Sequence, residues 1–348
     1  MKKASVFGHF GFGKNLLNGQ TIKTKILSDE LIRQFGKNCV NLVDTKGGIK
    51  SLIKAPFVCM RELFRSKNIV ILPAHNGVRV YGLLLPIFRP FYRKRKLHYV
   101  VIGGWLAEFL KKHRVLTRFL KKFDGIYVET NSMKMALEEM GFENTVVMPN
   151  CKNLNILKEN ELVYPDGEPY KLCTFSRVMK QKGIEDAVNA VKAVNEHFGR
   201  TVYALDIYGQ IDADQTDWFE SLKESFPDYV TYGGLVSFDK STDVLKKYFA
   251  LLFPTYYEGE GFAGTLIDAF AAGVPVIASD WKYNPEIVAD GQLGYVYSLK
   301  NDNGLEIVLK QVLDDIEAFC SMKKECLRTA ERYLPENVLE CMLCRFYD

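Results

Sequence analysis

Short apolar segments alternate with helical stretches along the whole chain, and this alternation limits the folds that the chain can adopt. Twelve segments have the length and composition of buried strands: Lys3–Gly8, Cys39–Val43, Asn68–Pro73, Leu97–Ile102, Gly125–Glu129, Thr145–Pro149, Lys171–Ser176, Tyr203–Tyr208, Tyr229–Tyr232, Leu251–Pro254, Val274–Ser279 and Gly294–Tyr297. Helical patterns lie between them, for example at Gln20–Phe35 and Gly183–His197. Strands that alternate with helices form parallel sheets covered by helices on both faces. The sequence therefore predicts an α/β fold with two Rossmann-like domains.

The length of 348 residues and the polar stretch Asn150–Pro169 indicate where the domains divide. We expect residues 1–150 to form the first domain, residues 151–330 the second, and residues 331–348 a helix that packs back on the first. Residues 1–150 hold 26 Lys and Arg against 10 Asp and Glu, a net of +16, whereas residues 151–348 hold 20 against 32, a net of −12. This asymmetry indicates that the first domain meets an anionic surface.

The segment Glu258–Asp268 follows an apolar strand, runs into a helix of small residues and is followed by a second strand. In such a βαβ unit the unpaired N–H groups at the helix start lie beside the end of the strand, where α/β proteins hold a phosphate. Glu260 and Asp268 would be unfavourable beside a phosphate alone. We therefore expect these carboxylates to accept hydrogen bonds from hydroxyl groups, and a ligand with hydroxyls on both sides of a diphosphate is a nucleotide sugar.

Six segments of the second half occur in an order and spacing that resemble one enzyme family. They are Phe175–Gly183, Leu205–Gly209, Phe253–Thr255, Glu260–Asp268, Gly273–Val276 and Pro285–Val288. Together they resemble the retaining GT4 glycosyltransferases (glycosyl transferases group 1) of bacterial polysaccharide biosynthesis. The first half matches less closely, through Asn18-Gly19 before a helix and Pro149-Asn150 at the end of the domain. The resemblance implies the GT-B fold, in which two Rossmann-like domains face each other across a cleft.

The resemblance also implies roles for residues of the second half. Glu260 would accept hydrogen bonds from the donor sugar, and Asp268 would hold the ribose. Arg177 and Lys182 would neutralise the diphosphate, and fixed cations do stabilise the charge that a leaving group gains in the transition state. We predict Glu260, Arg177 and Lys182 as catalytic residues. The other predicted donor-binding residues are mainly small residues that let a ligand approach the backbone: Gly19, Gly209, Gly261, Phe262, Ala263, Gly264 and Thr265.

Each of these assignments has a simpler alternative. Glu260 could cap the following helix, a contribution of up to about 1 kcal/mol. Arg177 and Lys182 could be solvated surface charges, and Gly19 a turn glycine. Asp268 also departs from the family, which has Glu there, so either its helix lies closer to the ribose or a water bridges the gap.

Many relatives have a histidine near the reacting carbon, after a strand of the first domain. In this chain the corresponding strand ends in Gly103-Gly104-Trp105, so that role cannot be transferred. His9 and His75 follow other strand candidates and are possible cleft histidines, with ordinary loop histidines as the alternative. A retaining reaction in which the leaving phosphate accepts the proton of the acceptor needs no separate base.

Cations alternate with apolar residues in part of the first half. The predicted membrane-surface residues are Arg89, Arg93, Lys94, Arg95, Lys96, Lys111, Lys112 and Arg114. This mixture is typical of an interfacial site on an anionic membrane. Nucleic acid is the rival anion, but no nucleic-acid module is recognised, so we predict no nucleic-acid partner. A plain charged surface is the third possibility.

The predicted function is transfer of a sugar from a nucleotide-sugar donor to a saccharide acceptor, lipid-linked if the membrane prediction holds, in bacterial surface-polysaccharide assembly. No cofactor is predicted, because the nucleotide sugar is a substrate. No metal is predicted either, because two cations and a helix N-terminus make a divalent ion unnecessary. No apolar run approaches the roughly 20 residues that span a bilayer, so we expect a cytoplasmic protein, peripheral on the inner membrane face. The alternatives are a catalytically silent nucleotide-sugar-binding scaffold and a sugar-nucleotide epimerase of the same fold.

Overall fold

The computed structural model describes residues 1–11, 19–45 and 48–347. They form two compact units: Met1–Asn153 with Tyr333–Asp348, and Leu154–Arg332. Each unit contains a six-stranded sheet in which every paired strand is parallel. The predicted α/β class with two Rossmann-like units is confirmed, and all twelve predicted segments overlap observed strands.

The first unit has the strand order β2-β1-β3-β4-β5-β6. Its strands are β1 (Lys2–Gly8), β2 (Val40–Asp44), β3 (Ser66–Ile71), β4 (Lys96–Val100), β5 (Gly125–Val128) and β6 (Thr145–Val147). Its helices are α1 (Gly19–Phe35), α2 (Gly48–Arg65), α3 (His75–Phe88), α4 (Leu106–Lys111), α5 (Arg114–Leu120), α6 (Asn131–Glu138) and, at the far end of the chain, α14 (Pro335–Tyr347). The order of connection reverses between β1 and β3, which makes this the topological switch point of the sheet, where ligands of doubly wound folds bind.

Helix α14 completes the core of the first unit. Leu339 and Met342 are fully buried in one cluster with Ala4 and Val6 of β1. Arg345, on the same helix, donates a hydrogen bond to the carbonyl of Asp124 at 2.8 Å. Burial of apolar side chains stabilises such a contact by about 25 cal/mol per Å² of area removed from water. The last helix is therefore a structural element of the first unit.

The second unit has the strand order β12-β11-β10-β7-β8-β9, with its switch point between β7 and β10. Its strands are β7 (Tyr170–Phe175), β8 (Tyr203–Tyr208), β9 (Val230–Gly234), β10 (Ala250–Phe253), β11 (Val276–Ser279) and β12 (Gly294–Tyr297). Its helices are α7 (Ile184–Phe198), α8 (Thr216–Glu224), α9 (Ser241–Leu245), α10 (Gly264–Ala271), α11 (Asn284–Ile287), α12 (Gly304–Asp314) and α13 (Ile316–Glu331).

Helix α7 shows how the sequence covers the second sheet. Its residues Ile184, Val188 and Val191 are buried at helical spacing, while the opposite face is polar. Buried Asn195 accepts hydrogen bonds from the N–H groups of Val202 and Tyr203, both at 2.9 Å, and so joins the helix to the start of β8. Within the described ranges, no helix is both long and apolar enough to be a membrane span.

Candidate active site

The predicted catalytic residues of the second unit come from both sides of its switch point. Arg177 and Lys182 follow β7, and Glu260 follows β10. These two strands are neighbours, with Leu172 paired to Ala250. Because parallel strands place their carboxyl ends at one edge of the sheet, residues far apart in sequence meet there.

Lys182 and Glu260 form a buried ion pair at this edge. Lys182 donates a hydrogen bond to Glu260 Oε2, and each side chain is only 9% exposed. The hydroxyl of Thr255 donates to the same oxygen at 2.9 Å. The carboxylate is therefore held by two donors on Oε2, whereas Oε1 accepts no hydrogen bond from the part of the chain that the structure describes. This geometry leaves one oxygen of a fixed carboxylate available to a ligand.

Arg177 joins the same site through an aromatic ring. Its guanidinium lies 5.5 Å from the ring centroid of Tyr257, and Lys182 Nζ lies 5.2 Å from it. The guanidinium also pairs with Asp212 at 3.0 Å, and the Arg177 side chain stays 49% exposed. The structure thus brings all three predicted catalytic residues together, two cations and one carboxylate around Tyr257.

Helix α10 begins in the predicted donor loop. Gly261 and Phe262 are buried, Ala263 is the residue before the helix, and Gly264 begins it without a side-chain cap. The hydroxyl of Thr265 is buried without a hydrogen-bond partner among the described residues. A buried polar group left unpaired costs about 1–3 kcal/mol, so this hydroxyl marks a position where a ligand atom would be stabilised.

The structure places Asp268 inside α10 and buries it to 5% exposure. It lies eight positions after Glu260, in the second turn of the helix that begins at the predicted donor loop. Its predicted contact with a ribose stays a prediction.

Two glycines of the matched segments are required by close backbone approach. Gly183, beside Lys182, has φ +69°, and a Cβ there would lie 2.1 Å from the carbonyl oxygen of Pro254. Gly209 has φ +141°, and its Cβ would lie 1.7 Å from the carbonyl oxygen of Ser176. Any larger residue would push apart the loops that follow β7, β8 and β10. A packing role therefore explains Gly209, while its predicted donor contact stays a prediction.

A polar chain supports the site from β11, and sequence analysis missed it. Ser279 donates to the carbonyl of Thr255 at 2.6 Å, and Asn284 donates to the carbonyl of Ser279 at 3.1 Å. Asn284 Oδ1 is buried without a hydrogen-bond partner in the described part of the chain. Trp281 donates to the carbonyl of Tyr257 at 2.8 Å, which fixes the loop that carries the aromatic ring. The available signal was the position of Thr255 and Ser279 at the ends of neighbouring strands.

The predicted histidines lie at the switch point of the first unit. His9 follows β1, with its Nδ1 2.9 Å from the Thr21 hydroxyl. His75 follows β3 and is exposed. Its ring stacks on Trp105 at 3.9 Å between centroids, and Phe109 packs edge-on against both rings. Partial desolvation of the stacked ring and the charge of Arg79 lower the pKa of His75, which favours a neutral imidazole. The contact between His75, Trp105 and Phe109 was not predicted from the sequence.

Gly19 begins α1 in the first unit at an exposed position. The structure therefore assigns it to a different unit from the other predicted donor-binding residues. Its sequence neighbour Asn18 lies outside the described residues.

The predicted membrane-surface residues divide into two groups. Arg89 pairs with Asp124 at 2.8 Å, and Arg95 and Lys96 donate to backbone carbonyls of Leu63 and Arg345. These three cations bind the protein itself. The other five are exposed to solvent: Arg93, Lys94, Lys111, Lys112 and Arg114. Of these, Lys111 pairs with Glu108. Apart from Lys111, the second group can meet a partner without losing a contact to the described residues.

Residues 169–315, all within the second unit, match the family model of the glycosyl transferases group 1. The second unit is thus similar to a glycosyl transferases group 1 domain, and it is called the group 1 domain from this point. The Lys182–Glu260 pair, Arg177 and the start of α10 all lie in this group 1 domain. The charged edge described above is therefore its candidate donor site.

Curated relatives extend the match beyond the group 1 domain. The chain is 26% identical over 228 residues to the UDP-N-acetylglucosamine–peptide N-acetylglucosaminyltransferase GtfA subunit of Streptococcus gordonii, covering 62% of this chain and 43% of that protein. It is 28% identical over 226 residues to glycogen synthase of Mycobacterium tuberculosis, covering 61% of this chain and 51% of that protein. The chain thus spans about half the length of these relatives.

Solved structures match both units. Anabaena Alr3699/HepE in complex with UDP and glucose has a TM-score of 0.72 at 13% identity and covers 99% of this chain and 98% of its own. Sucrose-phosphate synthase from Thermosynechococcus elongatus has a TM-score of 0.74 at 15% identity, with 100% and 98% covered. At such identities the likeness shows the fold alone, and the predicted GT-B fold class is confirmed.

Proposed function

We propose that the protein is a retaining glycosyltransferase that moves a sugar from a nucleotide-sugar donor to a saccharide acceptor. The observation that carries the proposal is the fixed carboxylate of Glu260 in the group 1 domain. Lys182 and Thr255 hold one of its oxygens, and the other oxygen is available to a donor hydroxyl. A pair of cations and the start of α10 lie around the same edge of the sheet.

The chemistry follows from these groups. The bond between the anomeric carbon and the diphosphate oxygen breaks, and a bond forms from the same carbon to an acceptor hydroxyl oxygen on the same face. The proton of that hydroxyl passes to the leaving phosphate oxygen. Arg177 and Lys182 are positioned before the reaction and stabilise the charge that the diphosphate gains. Glu260 Oε1 accepts a hydrogen bond from the sugar and so orients it.

We propose a uridine diphosphate sugar as the first donor to test. The streptococcal relatives are subunits of UDP-N-acetylglucosamine–peptide N-acetylglucosaminyltransferases, and the Alr3699/HepE structures contain UDP. The side chains around Glu260 do not by themselves select one hexose.

For the acceptor we propose a saccharide, lipid-linked and presented at the inner membrane face during surface-polysaccharide assembly. The exposed ring of His75 and its partner Trp105 lie at the switch point of the first unit. Aromatic faces there offer an apolar platform for a sugar ring, and the net charge of +16 over residues 1–150 attracts an anionic lipid phosphate. The protein would then act in the cytoplasm as a peripheral membrane protein.

The test is turnover of UDP-sugars by the purified protein with saccharide acceptors, with the anomeric configuration of the product read by NMR. Wild type is expected to release UDP and to give a product of the donor's configuration. Glu260→Gln keeps the shape and the contacts to Lys182 and Thr255 but removes the charge, and should lower kcat/KM at least 100-fold, about 2.7 kcal/mol.

Glu258→Gln is the matched control, because Glu258 lies in the same loop and its side chain is 81% exposed. This variant should leave turnover unchanged. Donor binding without turnover on any acceptor would support the silent scaffold. A product that retains the nucleotide would support the epimerase. An inverted product would overturn the retaining assignment.

A further inference from the structure

Helix α2 of the first unit carries a stripe of apolar side chains that points away from the protein. Ile53, Phe57 and Phe64 are 70%, 74% and 71% exposed. Their spacing of four and seven residues places them on one face of the helix. The opposite face is packed inward, with Ala55, Cys59 and Leu63 fully buried. Single exposed apolar residues are ordinary, but a row of them along one helix marks an interaction surface.

The apolar stripe continues onto an element that packs beside α2. The 3-10 turn Arg89–Tyr92 contacts α2, and its Phe91 is 80% exposed. Arg95, just beyond the turn, donates to the carbonyl of Leu63 at 2.7 Å and ties the two elements together. The α2 face is defined here as Ile53, Phe57, Phe64 and Phe91 with the exposed cations beside them: Lys54, Arg61, Arg65, Arg93 and Lys94.

The charges of the α2 face have one sign. The single carboxylate in the sequence of α2 is Glu62, which is 1% exposed. Glu62 accepts hydrogen bonds from Ser5 and Asn41 on neighbouring strands, at 2.7 and 2.9 Å, so it points into the unit. It also pairs with Arg61, whose side chain stays 51% exposed. The outward side of α2 therefore presents aromatic and aliphatic groups with cations.

A cation-lined cavity lies at the C-terminal end of the stripe. Its volume is about 570 Å³, and its lining consists of Met1, Lys2, Asn41, Phe64, Arg65 and Arg95. Guanidinium groups next to an exposed phenyl ring match a lipid phosphate attached to acyl chains, because arginine binds phosphate through paired N–H donors.

We propose that the α2 face is the surface by which the first unit docks on an anionic lipid membrane, with α2 lying in the plane of the interface. An interfacial helix buries its aromatic and aliphatic side chains in the bilayer and keeps its cations at the headgroups. A second copy of the chain does not fit, since the cations of both copies would face one another. Nucleic acid would match the cations but leave four large apolar side chains in water.

This surface differs from the one that sequence analysis predicted. Its apolar side chains lie mainly on α2, and of the predicted membrane-surface residues its exposed cations include Arg93 and Lys94. Its purpose rests on the proposed lipid-linked acceptor, but docking itself requires no donor chemistry. Membrane binding and sugar transfer can therefore fail independently in an experiment.

The test is flotation of the full chain with vesicles of neutral phosphatidylcholine, with and without 30% phosphatidylglycerol, at about 0.15 M salt, where surface charges are screened beyond about 8 Å. Wild type should float with the anionic vesicles and not with the neutral ones. Phe57→Ser/Phe64→Ser should lower the bound fraction at 0.15 M salt at least 10-fold. Lys54→Gln/Arg65→Gln should lower the bound fraction several-fold. This loss should be larger at low salt, where the attraction between cations and lipid phosphates is less screened.

The matched controls are Leu235→Ser, an equally exposed leucine of the second unit at 71%, and Lys25→Gln/Lys37→Gln, two exposed lysines of the first unit. Both should bind vesicles like wild type. Melting temperatures and turnover of a water-soluble acceptor confirm that the α2 variants fold and work. Vesicle binding equal to wild type in the Phe57/Phe64 variant would overturn the proposal. The proposal would also be overturned if wild type were a dimer in solution and the Phe57/Phe64 variant a monomer. Binding of wild type to nucleic acid but not to anionic vesicles would overturn it as well.

Discussion

Each unit buries one lysine against a glutamate near the carboxyl ends of its strands, and the two pairs differ in what surrounds the carboxylate. In the first unit Lys23 pairs with Glu129, with side-chain exposures of 4% and 3%. Lys23 binds Oε1, and the N–H of Gly103 donates to Oε2 at 3.3 Å. In the second unit Lys182 and Thr255 both bind Oε2 of Glu260. Within the described ranges, the carboxylate of Glu129 has protein donors on both oxygens and that of Glu260 on one.

The difference separates a structural ion pair from a candidate site. A buried pair is costly to desolvate and is poor proof of either stability or function by itself. Glu129 joins α1, the end of β4 and the end of β5, so it holds the first unit together. Among the described residues, one oxygen of Glu260 accepts no hydrogen bond and the hydroxyl of Thr265 has no partner, and Arg177 adds a second cation.

The largest expected effect comes from breaking the pair of the first unit. Glu129→Ala leaves the ammonium of Lys23 buried without a counter-ion, which typically costs about 3–5 kcal/mol. Hydrogen exchange followed by mass spectrometry should show lost protection in α1 and β5, with the group 1 domain unchanged.

The control for this prediction is the double variant Lys23→Met/Glu129→Leu, which removes both charges and should recover most of the lost protection. A loss of less than about 1 kcal/mol in Glu129→Ala would contradict the structural role, and the comparison between the two pairs would fail.

The matching change in the second unit should lower activity as well as stability, because the carboxylate of Glu260 loses its buried counter-ion. Lys182→Met removes a cation from the candidate donor site while Thr255 continues to bind Glu260. We expect kcat/KM for the donor to fall about 100-fold, or about 2.7 kcal/mol. Steady-state kinetics check this result. Lys180→Met, at an exposed position of the same turn, should leave the kinetics unchanged. An equal fall of kcat/KM in both variants would contradict the prediction. It would mean that the net positive charge of this turn matters and that the position of Lys182 does not.

His98, a buried titratable group with no counter-ion among the described residues, extends the comparison in the first unit. His98 of β4 lies between the Tyr127 hydroxyl at 3.0 Å and Asn68 Oδ1 at 3.3 Å, and Phe346 packs on its ring. Burial lowers the pKa of His98 to about 3, and the charges of Lys96, Arg345 and Arg89 act in the same direction.

The unfolded state therefore binds one more proton than the folded state between the ordinary His pKa of about 6.5 and about 3, so stability should fall as the pH drops through this window. The slope is about 1.4 kcal/mol per pH unit, which amounts to about 2 kcal/mol at pH 5. Thermal melting of wild type and His98→Gln at pH 7 and 5 measures it. The variant should lose less stability over this interval, and parallel losses would exclude His98 as the cause.

The sequence was sufficient for the strands and for naming Arg177, Lys182 and Glu260, which the structure brings together, but not for their contacts. Apolar runs bounded by turns define parallel strands, and Glu260 stands in a recognisable motif. The bond between Lys182 and Glu260 joins residues 78 positions apart, and only the adjacency of β7 and β10 brings them together. The outward face of α2 was equally hidden, because both its faces are apolar in sequence. Packing against the sheet decides that Leu63 is buried and Phe64 is not.

The smallest effect concerns Lys323 of α13, a buried lysine without a carboxylate partner among the described residues. Lys323 is 1% exposed, and its ammonium donates to the carbonyls of Tyr248 and Gly273 at 3.4 and 3.3 Å. Burial lowers the pKa of Lys323 from 10.5 to about 8, so the unfolded state holds more protons between these values and stability should rise with pH across them. At pH 7 the folded protein carries an unfavourable buried charge. Lys323→Met should therefore raise stability at pH 7 by about 1 kcal/mol, measured by thermal melting. Lys324→Met, at the exposed neighbouring position, should change nothing. Destabilisation by Lys323→Met would show instead that the two carbonyl contacts outweigh the desolvation of the ammonium, and that a lysine in this fold needs no glutamate to be buried.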